Sequence, residues 1–197
     1  MYIQHVGCNL SSRLAEKYLF DVGLIKNIHQ EKLEDKKIAK NVIVDTLAKA
    51  YNQPSKNLCL APSGMNAIYS IVRGINSIQN HNGRNILVQF GWLYLDTMNI
   101  VNHHYNQSKI FPDILNLDLL EEYLKKDGKK VSAIVTEMPT NPLLKTVDIK
   151  RLRSLCDEYN IPLVIDTTFA TPFNLNLEEY ADIFVESLTK FACGNAD

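Results

Sequence analysis

The sequence predicts an α/β protein, a mostly parallel sheet covered by helices on both faces, and three observations carry this. Short apolar runs recur from residue 57 onward, most of them rich in β-branched residues, as buried parallel strands are. Longer amphipathic segments separate those runs at helical spacing. Strand and helix alternating at this interval return the chain parallel to itself, so the units assemble as βαβ crossovers.

The elements follow in order. Residues 10–51 read as helical. Ser11-Ser12 offers an N-cap ahead of Leu14, Ala15, Tyr18 and Leu19, which share one helix face. The charged stretch Glu31-Lys32-Leu33-Glu34-Asp35-Lys36-Lys37 then leads into Ile38, Val42, Ile43, Leu47 and Ala50, an amphipathic helix with a solvated face. The predicted strands are 58–60, 86–88, 109–111, 131–136, 163–165 and 183–185. The predicted helices between them are 65–77, 94–103, 117–126 and 149–159. No repeat, low-complexity tract or Pro/Gly-rich linker interrupts the chain. Residues 1–56 therefore form a helical N-terminal segment, and residues 57–197 one continuous domain.

Composition excludes several function classes. Of 197 residues, 46% are hydrophobic, enough for a packed core. Twenty-one basic against 22 acidic residues leave a net charge of −1, so no field favours nucleic acid or an anionic membrane. No apolar run approaches the roughly 18 residues of a membrane span. The start, Met1-Tyr2-Ile3-Gln4-His5, has neither the basic residues nor the apolar run of a secretory signal. Cys8, Cys59, Cys156 and Cys193 lack metal or redox spacing and read as reduced thiols of a cytoplasmic protein. His103-His104 are adjacent, so their side chains diverge, and no metal site is expected.

In open parallel sheets ligands sit beyond the carboxyl ends of the strands, so the residues there carry the functional reading. After the first strand, Ser63-Gly64-Met65 opens a helix whose free N–H groups suit a phosphate. After the second, Phe90-Gly91 offers a flat surface for a planar ring. Glu137-Met138-Pro139-Thr140-Asn141-Pro142 holds Asn141 between two prolines, suited to one aimed hydrogen bond. Each of these has an ordinary structural alternative: capping, core packing and a plain turn. Asp166 closes an apolar strand, where a carboxylate calls for a cationic partner such as a protonated heterocycle. Ser187 and Thr189 are two apart and can share one side of an extended chain, with Lys190 directly after. Lysine is the residue that condenses with carbonyl cofactors. Together the set supplies what pyridoxal 5′-phosphate demands, whereas no G-x-G-x-x-G or G-x-x-x-x-G-K-[ST] nucleotide loop is present.

Three stretches resemble the Cys/Met metabolism pyridoxal-phosphate enzymes, the cystathionine γ-synthase and methionine γ-lyase family. They are Glu137-Met138-Pro139-Thr140-Asn141-Pro142, then Asp166-Thr167-Thr168-Phe169-Ala170-Thr171-Pro172, then Ser187-Leu188-Thr189-Lys190-Phe191-Ala192-Cys193-Gly194-Asn195-Ala196-Asp197. The turn Ala61-Pro62-Ser63-Gly64-Met65 adds a fourth, looser match. The resemblance implies the large domain of a fold type I (aspartate aminotransferase-like) enzyme, incomplete at its C-terminus and without the small domain. It implies Lys190 as the residue bonded to the cofactor and Asp166 as the partner of the pyridinium nitrogen. Gly64 and Met65 amides with Ser187 and Thr189 hydroxyls are similar to the family's phosphate cup, and Asn141 to the donor to the ring oxygen. Where the family places a stacking tyrosine, the aligned residue is Phe90, with Tyr94 four residues on. No Tyr and Arg pair in residues 1–51 matches the one the family lends to a neighbouring subunit's phosphate.

The expected function is therefore β- or γ-elimination or γ-replacement on a sulfur amino acid, in a dimer or tetramer, with a small-molecule amino acid as substrate. A truncated, non-catalytic remnant that binds the cofactor or only oligomerises is the alternative, and an unrelated α/β binding domain a distant one.

Overall fold

The β-branched runs do form the centre of the molecule. The computed structural model describes residues 11–29, 34–105, 107–175 and 177–192. Its sheet comprises β1 (Ile86–Phe90), β2 (Gln107–Phe111), β3 (Val131–Glu137), β4 (Leu163–Asp166) and β5 (Ile183–Val185). The strand order is β2-β1-β3-β4-β5 and every pairing is parallel. The chain thus leaves β1 for an outer strand and returns past it to β3. Crevices open at such a reversal.

The helices flank this sheet. They are α1 (Ser12–Asp21), α2 (Lys36–Ala50), α3 (Gly64–Asn80), α4 (Leu95–His104), α5 (Leu117–Asp127), α6 (Ile149–Tyr159) and the short α7 (Thr171–Asn174). Caps set the starts: the Ser11, Asp35, Ser63, Asn116 and Asp148 side chains each accept a backbone N–H two or three residues on, those of Ser11 and Ser63 at the helix starts the sequence suggests. Asn160, in the left-handed region with φ 53°, ends α6.

Two cores result, one on each face. Leu87, Ala133, Val135, Val164 and Val185 pack under α3 and α4, against Ile68, Val72, Met98 and Val101. Val88, Phe90, Ile134, Leu163 and Ile165 pack under α5 and α6, against Leu120, Leu124, Leu152 and Cys156. Strand residues alternate between the two by the period of 2. Burial pushes the Cys156 thiol up to about 12, an inert small apolar role.

The predicted strand 58–60 does not form. Leu58 is extended (φ −103°, ψ 134°), but residues 58–60 enter no ladder. Residues 58–60 line a cleft of about 710 Å³ together with β5, and among the described residues they pair with no strand. The N-terminal segment carries α1 behind the Ser11 cap and α2 over the amphipathic run from Ile38 to Ala50, where the sequence places them. No residue of α1 is buried, and α2 buries Ala48. Tyr51, at the end of α2, stacks its ring 5.5 Å from Phe184 and ties that helix to β5. Among the described residues no helix is long and apolar enough to cross a membrane, and no group of three ligand-type side chains could hold a metal. Cys8, His5 and the stretch from Cys193 to Asp197 lie outside the described residues.

Candidate active site

The period of 2 that buries Val135, Val164 and Val185 under α3 and α4 continues past the strand ends. Two residues on, it places Glu137, Asp166 and Ser187 on that same face, at the carboxyl edge of β3, β4 and β5. Glu137 and Asp166 are register partners across β3 and β4. Helix α3 starts opposite Ser187, because its first residue, Gly64, lies directly against it. A Cβ added at Gly64 would meet Ser187 Cβ at 3.0 Å and Ser187 Cα and Oγ at 3.3 Å. No other residue type fits there without displacing the strand-end turn.

That contact brings together groups that can donate to a phosphate. Ser63 caps α3 by accepting the Asn66 N–H at 3.2 Å, leaving the Gly64 and Met65 amides at the opening of the helix. Ser187 Oγ and Thr189 Oγ1 lie 3.0 Å apart, sharing a side as the spacing predicts. The turn carrying them is fixed by the Ser187 N–H donating to Thr168 Oγ1 at 2.8 Å and the Lys190 N–H donating to Ser187 O at 3.0 Å. Lys190 is exposed at the end of this turn.

Asp166 sits mostly buried between two other carboxyls. Its Oδ1 accepts the Thr168 N–H at 2.9 Å. Burial raises its pKa, with the Thr168 hydrogen bonds opposing. Glu137, 5% exposed, is pushed up to about 7 by burial, with the Asp166 charge adding to the rise and the Tyr94 N–H opposing it. On the far side Glu186 is also raised by burial, against the hydrogen bond from Tyr51. Tyr51 Oη bonds Glu186 Oε2 and lies 3.1 Å from Thr167 Oγ1. The carboxyl edge of the sheet thus concentrates acid in a desolvated place, where a cationic N–H would relieve it.

The predicted site residues divide accordingly. Gly64, Met65, Asp166, Ser187, Thr189 and Lys190 come together around the ends of β4 and β5 and the start of α3. Asn141 is exposed in the turn after β3, its backbone N–H donating to Glu137 Oε2 at 3.3 Å. Phe90 does not belong. It is fully buried with Val88 on the opposite face of the sheet, against Ile114 and Leu120 of the other core, and presents no surface to a ligand. The alternation from Leu87 and Val88 already assigns residue 90 to that side. Tyr94, half-buried at the start of α4, stands instead at the carboxyl edge on the α3–α4 face. Its hydroxyl pKa is raised by burial and by Asp96. Two groups passed over in the sequence, Glu137 and the Tyr51–Glu186 pair, also line this edge. For Glu137 the signal was present, two positions beyond Val135.

A pyridoxal phosphate fits these residues on chemical grounds: amides and hydroxyls for the phosphate, a buried acid for a protonated ring nitrogen, and an exposed amine beside them. Comparison with known proteins agrees. The family model for Cys/Met metabolism PLP-dependent enzymes matches residues 36–197. The chain is 34% identical, over its whole length, to an L-2-amino-4-chloropent-4-enoate dechlorinase/desaturase of Streptantibioticus cattleyicolor, spanning 40% of that protein. It is 36% identical to a cystathionine gamma-synthase of Neurospora crassa over 74% of the chain and 24% of that protein. The structure superposes on a putative O-acetylhomoserine (thiol)-lyase from Campylobacter jejuni with a TM-score of 0.64 at 24% identity. That match covers the whole chain and 47% of that structure, which carries a pyridoxyl-lysine monophosphate. The chain therefore spans under half the length of the relatives it matches. The parallel sheet and its helices are thus those of a fold type I enzyme. From the match across residues 36–197 and the likeness to these relatives, the chain belongs to the Cys/Met metabolism PLP-dependent enzyme family.

Proposed function

We propose that the chain is the cofactor-binding portion of a lyase or transferase that performs elimination or replacement on a sulfur amino acid or a close analogue. The observation that carries this reading is the packing of Gly64 on Ser187, which brings helix-start amides, two hydroxyls and the following Lys190 into one cradle. The two curated relatives bear names of different reactions, so the family membership fixes the cofactor chemistry more tightly than the substrate. When bound, pyridoxal phosphate supplies an electron sink for a carbanion at the substrate's Cα.

The chain's own residues have separate tasks. The amides of Gly64 and Met65 and the hydroxyls of Ser187 and Thr189 hold the phosphate and so fix position. Asp166 keeps a proton on the ring nitrogen, and its desolvated setting makes that ion pair stronger than in water. Asn141 orients the ring through its oxygen. Tyr94 replaces Phe90 as the aromatic surface at the crevice. Lys190 holds the cofactor and, once its amine is freed, moves the proton at the substrate's Cα. An assembly of two or four copies, in the cytoplasm, with residues 1–56 as an N-terminal helical segment, completes this reading.

The test is a titration with pyridoxal phosphate, followed by visible absorption. A saturable band that vanishes in Lys190→Ala supports the proposal, and its absence from the parent chain contradicts it. A Lys190-dependent band without turnover of cystathionine, O-acylhomoserine or methionine would favour a chain that binds cofactor but does not catalyse.

A further inference from the structure

Glu137 is 5% exposed at the carboxyl edge of the sheet, and no step above uses it. Its two oxygens do different work. Oε1 accepts the backbone N–H of Tyr94, and Oε2 accepts the backbone N–H of Asn141 at 3.3 Å. Tyr94 is the N-cap residue of α4 and has no side-chain cap of its own. The carboxylate thus meets the positive end of a ten-residue helix, where negative charge is favoured. Asn141 opens the turn after β3, which closes on itself through Thr140: its N–H donates to Lys145 O at 2.9 Å, and Thr140 O accepts from Leu144 at 2.8 Å. Nothing in that internal closure fixes the turn to the neighbouring loop. The loop 91–94 is anchored at its start by the Gly91 N–H donating to Phe111 O at 2.8 Å. Its other end is held by Leu93, buried in the core under α3 and α4, by the Met98 N–H donating to Tyr94 O at 3.1 Å, and by the Tyr94 N–H on Glu137, the one of these that also reaches the Asn141 turn.

We propose that Glu137 is a positioning residue: one buried carboxyl that clamps the Tyr94 loop and the Asn141 turn to each other, setting the distance between the two side chains that flank the cofactor ring. The inference rests on the proposed function for its consequence, but the clamp itself is a property of the chain without cofactor. Once ionised, above its midpoint at about 7, the carboxyl is acceptor-only, and both approaching groups are donors. A glutamine of the same shape offers one acceptor and turns an N–H₂ group toward the second donor.

The experiment uses amide hydrogen exchange by NMR on the cofactor-free chain, with Glu137→Gln. The expected result is loss of protection at Tyr94, Asn141 or both. The amides of Gly91, Thr140 and Leu144, whose acceptors lie elsewhere, should keep theirs. Pyridoxal phosphate affinity should fall at least tenfold while the Lys190-dependent band still forms at saturation. Full protection at both amides, uniform loss at all five, or unchanged affinity would each overturn the proposal. If the variant does not fold, the parent chain gives a second readout. The Tyr94 and Asn141 amide shifts should titrate together, with the midpoint of the Glu137 carboxyl, because both protons rest on it. Asp166 faces Glu137 from β4, and Tyr94 and Asp96 lie at the start of α4; two distinct midpoints, one following Asp166, would refute the shared clamp. Failure of the cofactor band in the parent chain would count against the proposed function and leave the exchange result intact.

Discussion

Replacing Gly64 by alanine probes the phosphate cradle at its tightest point. The new methyl carbon would lie 3.0 Å from Ser187 Cβ and 3.3 Å from Cα and Oγ. Carbon atoms prefer separations of roughly 3.5–4.0 Å, so Ser187 must give way by a few tenths of an ångström. It cannot do so alone, since its N–H is bound to Thr168 Oγ1 at 2.8 Å and its carbonyl to the Lys190 N–H at 3.0 Å. Overpacking of this kind costs about 1–3 kcal/mol, partly offset by up to about 1 kcal/mol from removing a helical glycine. Displacing hydroxyls that bond a charged phosphate loses a further amount on the order of 1.5–3 kcal/mol in binding. Pyridoxal phosphate should therefore bind about 10–100-fold more weakly to Gly64→Ala. Pyridoxal, which lacks the phosphate, should bind both chains equally within about twofold. Fluorescence titration of the two ligands against both chains reads this directly. Equal losses for the two ligands, or none for either, would refute a phosphate cradle at Gly64 and Ser187.

Three further outcomes follow from the same contacts. Tyr51→Phe removes the hydroxyl that serves Glu186 and Thr167, strands a half-buried carboxyl, and should cost about 1–3 kcal/mol in urea unfolding. Phe90→Leu should cost roughly 1–2 kcal/mol of stability yet leave cofactor affinity unchanged, whereas Tyr94→Leu should lower the affinity with little loss of stability. Glu137 has a folded-state pKa of about 7 against an unfolded value of 4.5, so between those values the native state holds a proton that the unfolded state has released. Its contribution makes stability fall as pH rises from about 4.5 to 7, by an amount on the order of 3 kcal/mol, and Glu137→Gln should flatten that slope in denaturant midpoints.

Much of this was legible in the residues. The helix starts at Ser11 and Ser63 and the strands from Ile86 to Val185 follow from caps and β-branched runs, local signals that tertiary packing reinforced. The run Leu58-Cys59-Leu60 carries the same local signal, but a strand exists only where a neighbour completes its ladder, and β5 stands across a cleft. Lys190, Asp166 and the hydroxyl pair were readable because each follows a strand, and the strand ends are where crevices open. Phe90 shows the limit of motif alignment: its parity with Val88 places it on the other face of the sheet. Glu137 escaped notice because its work is done on backbone amides, whose positions depend on how two loops from different strands meet.

The central claim is that Lys190 sits in a crevice built to hold pyridoxal phosphate. Incubation of the chain with that cofactor, reduction with borohydride, and peptide mapping by mass spectrometry tests it most directly. One stoichiometric pyridoxyl adduct is expected on the peptide containing Lys190, abolished by excess competing phosphate-bearing analogue and weakened by Gly64→Ala. An adduct spread over the surface lysines, or absent at Lys190, would contradict it.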